Sequence, residues 1–200
     1  MSLVRLVKRI EFLVAAIGVA PAVLAARAEA ATGAGEGVFA GFGELFALVP
    51  GRPGRALRAA YYAGTLHDTS WETSIGFGTV FVRRGASIGR HASLGRYCVI
   101  GDASLGASVM IGSRVSVPSG KRQHLDANHQ LSGTAGRYDR VEIGEGCWIG
   151  DGAVVMADVG AHTIVAAGAV VATTMPAAST VGGNPARVLG VPSRPMAQEA

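Results

Sequence analysis

From residue 88 an aliphatic residue followed by glycine recurs along the chain: Ile88-Gly89, Leu94-Gly95, Ile100-Gly101, Leu105-Gly106 and Ile111-Gly112, ending at Val117. A second block runs through Ile143-Gly144, Ile149-Gly150, Val155, Val159-Gly160, Val165 and Val171. Most steps are six residues. That period cannot mark a helix face, which recurs near 3.6 residues. It predicts a short strand plus a corner, with three steps closing a triangular coil and stacked coils pairing as parallel strands. A second register supports this, because four residues after each aliphatic the chain points inward again and holds Ala92, Cys98, Ser104, Val109, Val115, Cys147, Ala153, Thr163 or Ala169. The step from Ile100 to Leu105 is one residue short and that from Val155 to Val159 two short, which predicts local distortion. The fold class is an all-β solenoid, a parallel β-helix of hexapeptide repeats with an N-terminal helical extension.

Upstream the period changes. Leu3, Leu6, Val7, Ile10, Leu13, Val14 and Ile17 follow helical spacing, while Arg5, Lys8 and Arg9 cluster elsewhere on the wheel, which predicts a retained amphipathic helix. The apolar run Phe12 to Ala26, before Ala28-Glu29-Ala30, also has the look of a signal peptide. Holding Gly18 and Pro21, its 15 residues fall short of the roughly 20 a spanning helix needs, so a transmembrane helix is the least favoured reading. Packing on the protein and contact with a membrane surface both stay open. Residues 31–41 read as a Gly/Ala-rich connector. Residues 42–68 read as a small helical cap containing a turn at Pro50–Gly54, of the kind an open solenoid needs over its end. The predicted divisions are 1–68 for the helix and cap, 69–190 for the solenoid with an inserted loop at 118–140, and 191–200 for a tail.

Composition sharpens this. With 29 glycines and only 6% aromatics the chain suits tight corners repeated many times. The net charge of +4 suits an anionic partner, but no RNP-like or zinc-finger pattern accompanies it, so nucleic acid is not an expected partner. Cys98 and Cys147 fall in the small inward slot and read as buried fillers rather than nucleophiles or a disulfide framework. His91 and His162 fall at exposed corners.

Between Val117 and Val141 the rhythm stops, and long insertions in ordered folds are usually functional or disordered. This loop supplies His124 and His129, with Asp126, Asn128 and Asp139 nearby in sequence. A neutral imidazole can take the proton from a hydroxyl that attacks an acyl carbon, which contributes roughly 10²- to 10⁴-fold, and Asp126 or Asp139 is a candidate to orient it. A donor must then stabilise the oxyanion.

The repeat [LIV]-[GA]-x-x-[small]-x resembles the hexapeptide-repeat acyltransferase superfamily across roughly 75–190. Ile143-Gly-Glu-Gly-Cys-Trp-Ile-Gly150 and Gly183-Asn-Pro-Ala-Arg187 are most similar to its sugar and antibiotic O-acetyltransferases. The resemblance implies a left-handed β-helix, acetyl-CoA as acyl donor, no metal, and a homotrimer with the cofactor in the groove between subunits. It implies His124 as general base, in Ser119-Gly-Lys-Arg-Gln-His124, with His129 in reserve and Asp126, Asn128 and His129 near the acceptor. Trp148, Ala167, Gly168 and Arg187 match cofactor-contact positions, small residues letting the pantetheine arm approach and arginine offering donors to phosphate. Two departures weaken the headgroup end: Ala172-Thr-Thr-Met-Pro176 replaces a Thr-Lys-Asp turn, and an arginine near Gly190 is missing, with Arg194 as a substitute. The implied acceptor is a sugar or saccharide-precursor hydroxyl. The implied compartment is the cytoplasm, where acetyl-CoA is found, with peripheral membrane contact through the first helix still open. Three alternatives share the solenoid: a zinc-dependent carbonic anhydrase-like hydratase using His91, His124 and His129, a serine acetyltransferase, whose characteristic features are not recognisable, and a non-catalytic scaffold.

Overall fold

The structure is a computed structural model that describes residues 3–122, 124, 130–131 and 138–190. Six coils stack along three parallel faces. The first face carries Asp68–Thr69, Ser87–Ile88, Ala103–Leu105 and Val141–Ile143, then single bridges at Val159 and Met175. The second carries Ser74–Ile75, Ser93–Leu94, Met110–Ile111, Trp148–Ile149, Ile164–Val165 and Thr180–Gly183, against which Ala186–Gly190 folds back antiparallel. The third carries Val80–Phe81, Val99–Ile100, Ser116–Val117, Val154–Val155 and Val170–Val171.

The apolar residue of every step points into the stack and is buried, from Ile75 through Val181, aliphatic throughout except for Phe81 and Met175. Cys98 and Cys147 fill inward slots, each Sγ facing a carbonyl of the next coil, Gly112 at 3.1 Å and Gly160 at 3.0 Å. One slot differs from the sequence reading. Because the step to Leu105 is short, Ala103 is the buried filler and Ser104 turns outward toward Ser87, 3.3 Å between hydroxyls.

The regular corners have a physical reason for their period. At the corner between first and second faces, His91, Ser108, Gly146, His162 and Ala178 all have positive φ; at the next, Gly78, Tyr97, Arg114, Gly152 and Gly168 do. A left-handed non-glycine residue costs roughly 1–2 kcal/mol. At most of these positions the backbone N–H of the corner residue also donates to a carbonyl of the preceding coil, as from Arg114 to Arg96 at 2.7 Å and His162 to Glu145 at 2.7 Å. Most glycines of the aliphatic-Gly pairs serve another purpose, since a Cβ on Gly144 would lie 2.5 Å from the Ala161 backbone nitrogen. Close stacking, rather than corner flexibility, requires them.

The helical region departs from expectation in two places. The first helix, α1 (Leu3–Thr32), runs on well past the apolar segment, and Arg5–Thr32 is long and apolar enough to cross a membrane by length and composition. The second, α2 (Gly37–Ala47), begins inside the stretch read as connector, and α3 (Gly51–Thr65) follows with Pro53 in its first turn, where a proline is tolerated. Glu29 of α1 explains α2: its carboxylate accepts from the N–H groups of Val38 at 2.7 Å and Phe39 at 3.0 Å, satisfying donors that the helix start leaves open. Arg58 of α3 is buried and donates to the carbonyls of Phe46 in the last turn of α2 at 3.0 Å, of Val49 just past it at 2.8 Å, and of Ile75 in the first coil at 3.0 Å. Tyr62 packs against Phe81 with the rings inclined at 60° and their centroids 4.7 Å apart, and so closes the end of the solenoid core.

Candidate active site

Every step across the first two corners is six residues, from Thr69 to Ile75 through Met175 to Val181, and every irregular step falls at the third corner, where the chain returns from third face to first. There the steps are seven (Phe81 to Ile88), five (Ile100 to Leu105), four (Val155 to Val159) and four (Val171 to Met175), and the 118–140 loop leaves from the same corner. The distortion expected from the short steps is confined to this edge, and it reduces the first face to single bridges in its last two coils.

A cavity of about 410 Å³ results. One wall is Met156–Asp158 and Ala172–Thr174, drawn in by the four-residue steps; the other is the stems of the loop, Gly120–Arg122 and Asp139–Val141. The stems are zipped together: Asp139 N–H donates to the Ser119 carbonyl at 3.1 Å, and Arg122 faces Asp139 at 3.7 Å. Gly120 makes the reversal at φ 74°. Ser119, buried beneath, accepts from the Asp102 N–H at 2.8 Å. Arg140 pairs with Asp102 at 3.5 Å and donates to the Gly85 carbonyl, while Lys121 donates to the Ala172 carbonyl at 3.3 Å, across the cavity. Three cations against Asp139 and Asp158 leave the cavity net positive. The Nε of Arg122 is buried without a hydrogen-bond partner, a donor that an oxygen in the cavity would satisfy.

His124 stands two residues beyond Arg122 on a turn, exposed, outside the cavity wall. Asp126, Asn128, His129 and Arg194 lie outside the described residues. Trp148 projects outward from the second face, half exposed, in register with Met110 and Ile164. Ala167 and Gly168 sit exposed at the second corner of the next coil, and Arg187 lies exposed on the returning strand opposite Gly182. These four share one side of the solenoid, the second face and its corner, whereas His124 belongs to the third corner; the third face separates the two groups within one chain.

At the second corner the sequence singled out Gly168 but not Gly152, its counterpart one coil earlier. Tyr97 and Arg114 hold the corner position with φ of 58° and 57°, so the fold accepts side chains there. In the next two coils the position is Gly152 and Gly168, and a Cβ on either would meet nothing within 4 Å. Glycine at these two places leaves a strip of bare backbone facing outward. The sequence reading also passed over Asp102, Lys121, Arg122 and Arg140; the paired basic and acidic residues at both ends of the loop, Lys121-Arg122 and Asp139-Arg140, were the available signal.

Both cysteine thiols are pushed above their ordinary pKa by burial, which fits filler residues and not nucleophiles. Among the described residues no group of three His, Cys, Asp or Glu side chains is placed to hold a metal ion. His91 sits at the first corner with its Nε2 3.7 Å from Glu72, on a different corner from His124.

No protein-family model and no curated protein matches the chain. Solved structures do. A hexapeptide-repeat acetyltransferase from Vibrio cholerae, complexed with acetyl coenzyme A, is 22% identical with a TM-score of 0.64, covering 76% of this chain and 84% of its own. A maltose O-acetyltransferase from Clostridium difficile is 17% identical with a TM-score of 0.63, over 76% and 84%. A galactoside acetyltransferase in complex with coenzyme A is 18% identical with a TM-score of 0.66, over 76% and 78%. The chain shares their fold, the left-handed parallel β-helix.

Proposed function

We propose that the chain is an acetyl-CoA-dependent O-acetyltransferase acting on a hydroxyl of a sugar or saccharide precursor. The observation that carries this reading is the coincidence of the long loop with a positively charged cavity at the one irregular corner of an otherwise regular solenoid. The same fold in solved proteins whose names include acetyltransferase, two of them holding acetyl coenzyme A or coenzyme A, supports it.

In this reading His124 takes the proton of the acceptor hydroxyl as its oxygen attacks the thioester carbon; the C–S bond then breaks and the proton passes to the departing thiolate of coenzyme A. Asp126, Asn128 and His129 contact the acceptor. The extended arm of the cofactor lies along the bare strip at Gly152, Ala167 and Gly168, where no side chain keeps it from the backbone, beside Trp148, with Arg187 toward its phosphates. Loop and strip lie at opposite edges of the third face, so assembly as a homotrimer, placing the strip of one subunit beside the loop of another, would complete the site. The cofactor makes the cytoplasm the expected compartment, and the exposed apolar side of α1 favours peripheral contact with a membrane there.

A thiol-release assay with acetyl-CoA against a panel of saccharide acceptors tests the reading. His124→Ala should lower turnover about 10²-fold or more while the variant still binds acetyl-CoA. Equal turnover of the variant and wild type would remove His124 from the mechanism.

A further inference from the structure

The docking of α1 leaves a question of its own. It packs through small residues, Ala15, Val19, Ala22 and Ala26, all buried, and runs parallel to α3, with Glu11 meeting Arg52 at 2.7 Å and Arg27 donating to the Gly64 carbonyl at 2.8 Å. The large aliphatics face the other way. Leu6, Ile10, Leu13, Val14, Ile17 and Leu24 are exposed, Ile17 at 78%, on the face opposite the buried stripe. The exposed stripe, from Leu6 to Leu24, extends ~27 Å along the axis at 1.5 Å per residue.

Beside this stripe, between the first turns of α1, the start of α3 and the first coil, lies a second cavity of about 660 Å³. Its apolar wall is Val7, Phe12, Ala56, Ala59 and Trp71. Its polar wall holds Lys8, Arg52 and Arg55 against a single carboxylate, Glu11, which Arg52 engages. Thr73, 4% exposed, also contributes to this wall, and its hydroxyl has no hydrogen-bond partner. An apolar chamber with surplus cations and an unsatisfied donor suits an anionic group attached to something hydrophobic.

We infer that this cavity binds the phosphate of an anionic membrane lipid while the exposed stripe of α1 lies in the lipid–water boundary. The inference deepens the peripheral membrane contact proposed above and rests on it. Val7 belongs both to the exposed side of the helix and to the cavity wall, so the cavity opens at the flank of the stripe. For a helix sunk ~5–10 Å into the interface, that flank is level with the phosphates. Lys8, Arg9, Arg52 and Arg55 are exposed at this end of the helical unit and supply the charge complementary to such a surface. Crossing the bilayer is disfavoured by the same contacts: α1 would have to leave Arg52, the Gly64 carbonyl and Arg84, which Glu29 holds at 2.8 Å.

The test is flotation of the full chain with vesicles of phosphatidylcholine alone and of phosphatidylcholine with phosphatidylglycerol, for wild type, Lys8→Glu/Arg55→Glu and Ile10→Ser/Ile17→Ser. Acetyl-CoA binding and thiol release are measured on the same samples. The expected result is binding to the anionic vesicles only, weakened about tenfold or more by the charge reversals and lost with the serines. Acetyl-CoA binding should be unchanged in both variants. Vesicle binding indifferent to the charge reversals would overturn the phosphate site. Absence of vesicle binding, with an oligomer that the serine substitutions dissociate or with inorganic phosphate alone stabilising wild type but not the charge variant, would also overturn it, in favour of a second copy or a soluble phosphate. Release from native membranes by detergent but not by high salt would assign α1 a spanning role instead. Loss of thiol release with vesicle binding intact would count against the acetyltransferase reading and leave the lipid site standing.

Discussion

The guanidinium of Arg83 lies 3.7 Å from the centre of the Tyr138 ring, and the same arginine reaches Glu36, ahead of α2, at 3.4 Å. A residue at the end of the long loop is thereby fastened, through the first coil, to the helical cap. Tyr138 is exposed, and at such a site a cation over an aromatic face contributes about 0.5–1 kcal/mol. Tyr138→Ala should therefore leave overall stability within ~1 kcal/mol but loosen the stem that positions the proposed site. The expected outcome is faster proteolytic cleavage within 118–140 and kcat/KM reduced about threefold to tenfold, with Tyr138→Phe close to wild type.

Arg58 offers a sharper stability test. Its buried guanidinium has carbonyls as its hydrogen-bond partners, and burial lowers its pKa from the ordinary value, so the charge is retained through donated hydrogen bonds and the negative end of α2. Hydrogen bonds to a charged group contribute roughly 1.5–3 kcal/mol. Arg58→Met should cost about 2–4 kcal/mol in urea denaturation, since it takes the charged donor from the Val49 and Ile75 carbonyls and from that of Phe46, which keeps the Val49 N–H at 3.3 Å. Arg58→Lys should recover only part, because an ammonium cannot span the same fork.

Much of the solenoid was legible because two registers of side chains repeat with its backbone: aliphatic at each step and small four residues later. The error at Ser104 arose where a short step shifted the slot by one residue to Ala103. The start of α2 was hidden because the carboxylate that caps it, Glu29, comes from another helix. The apolar positions of α1 were legible but not their direction; the docked face is alanine and valine, and the conspicuous Leu and Ile positions are the exposed ones. In the loop, sequence singled out histidines by their chemistry. It offered Asp139 only as a partner for an imidazole and was blind to the framework it forms with Lys121, Arg122 and Arg140, whose meaning depends on two stems meeting across the cavity.

The buried acids predict an alkaline limit. Burial raises both thiols from an ordinary value near 9.0 and pushes Tyr62 up to about 12 from 10.0. Above pH 9 the unfolded chain releases thiol protons that the folded chain retains, so stability is full below that value and falls as pH rises through the folded-state pKa values. Tyr62 extends the decline above pH 10. Urea midpoints should drop steadily above pH 9, and Cys98→Ala/Cys147→Ala should remove the first part of the slope. At pH 8 the native protein should leave both thiols unreacted toward a disulfide reagent, and unfolding should expose both.

Gly144 and Gly168 predict opposite consequences from similar substitutions. A Cβ on Gly144 would meet the Ala161 nitrogen at 2.5 Å and its Cα at 2.7 Å, so Gly144→Ala must push two coils apart and should cost about 3 kcal/mol. Gly168 has φ 68° and open space around it, and the equivalent corner already carries Tyr97. Gly168→Tyr should cost only about 1–2 kcal/mol, the penalty for a left-handed residue. Its ring would instead cover the bare strip proposed for the cofactor. The variant should remain folded by thermal denaturation and bind acetyl-CoA at least about tenfold more weakly, a loss of roughly 1.4 kcal/mol. Unchanged affinity in a folded Gly168→Tyr protein would move the cofactor away from this corner.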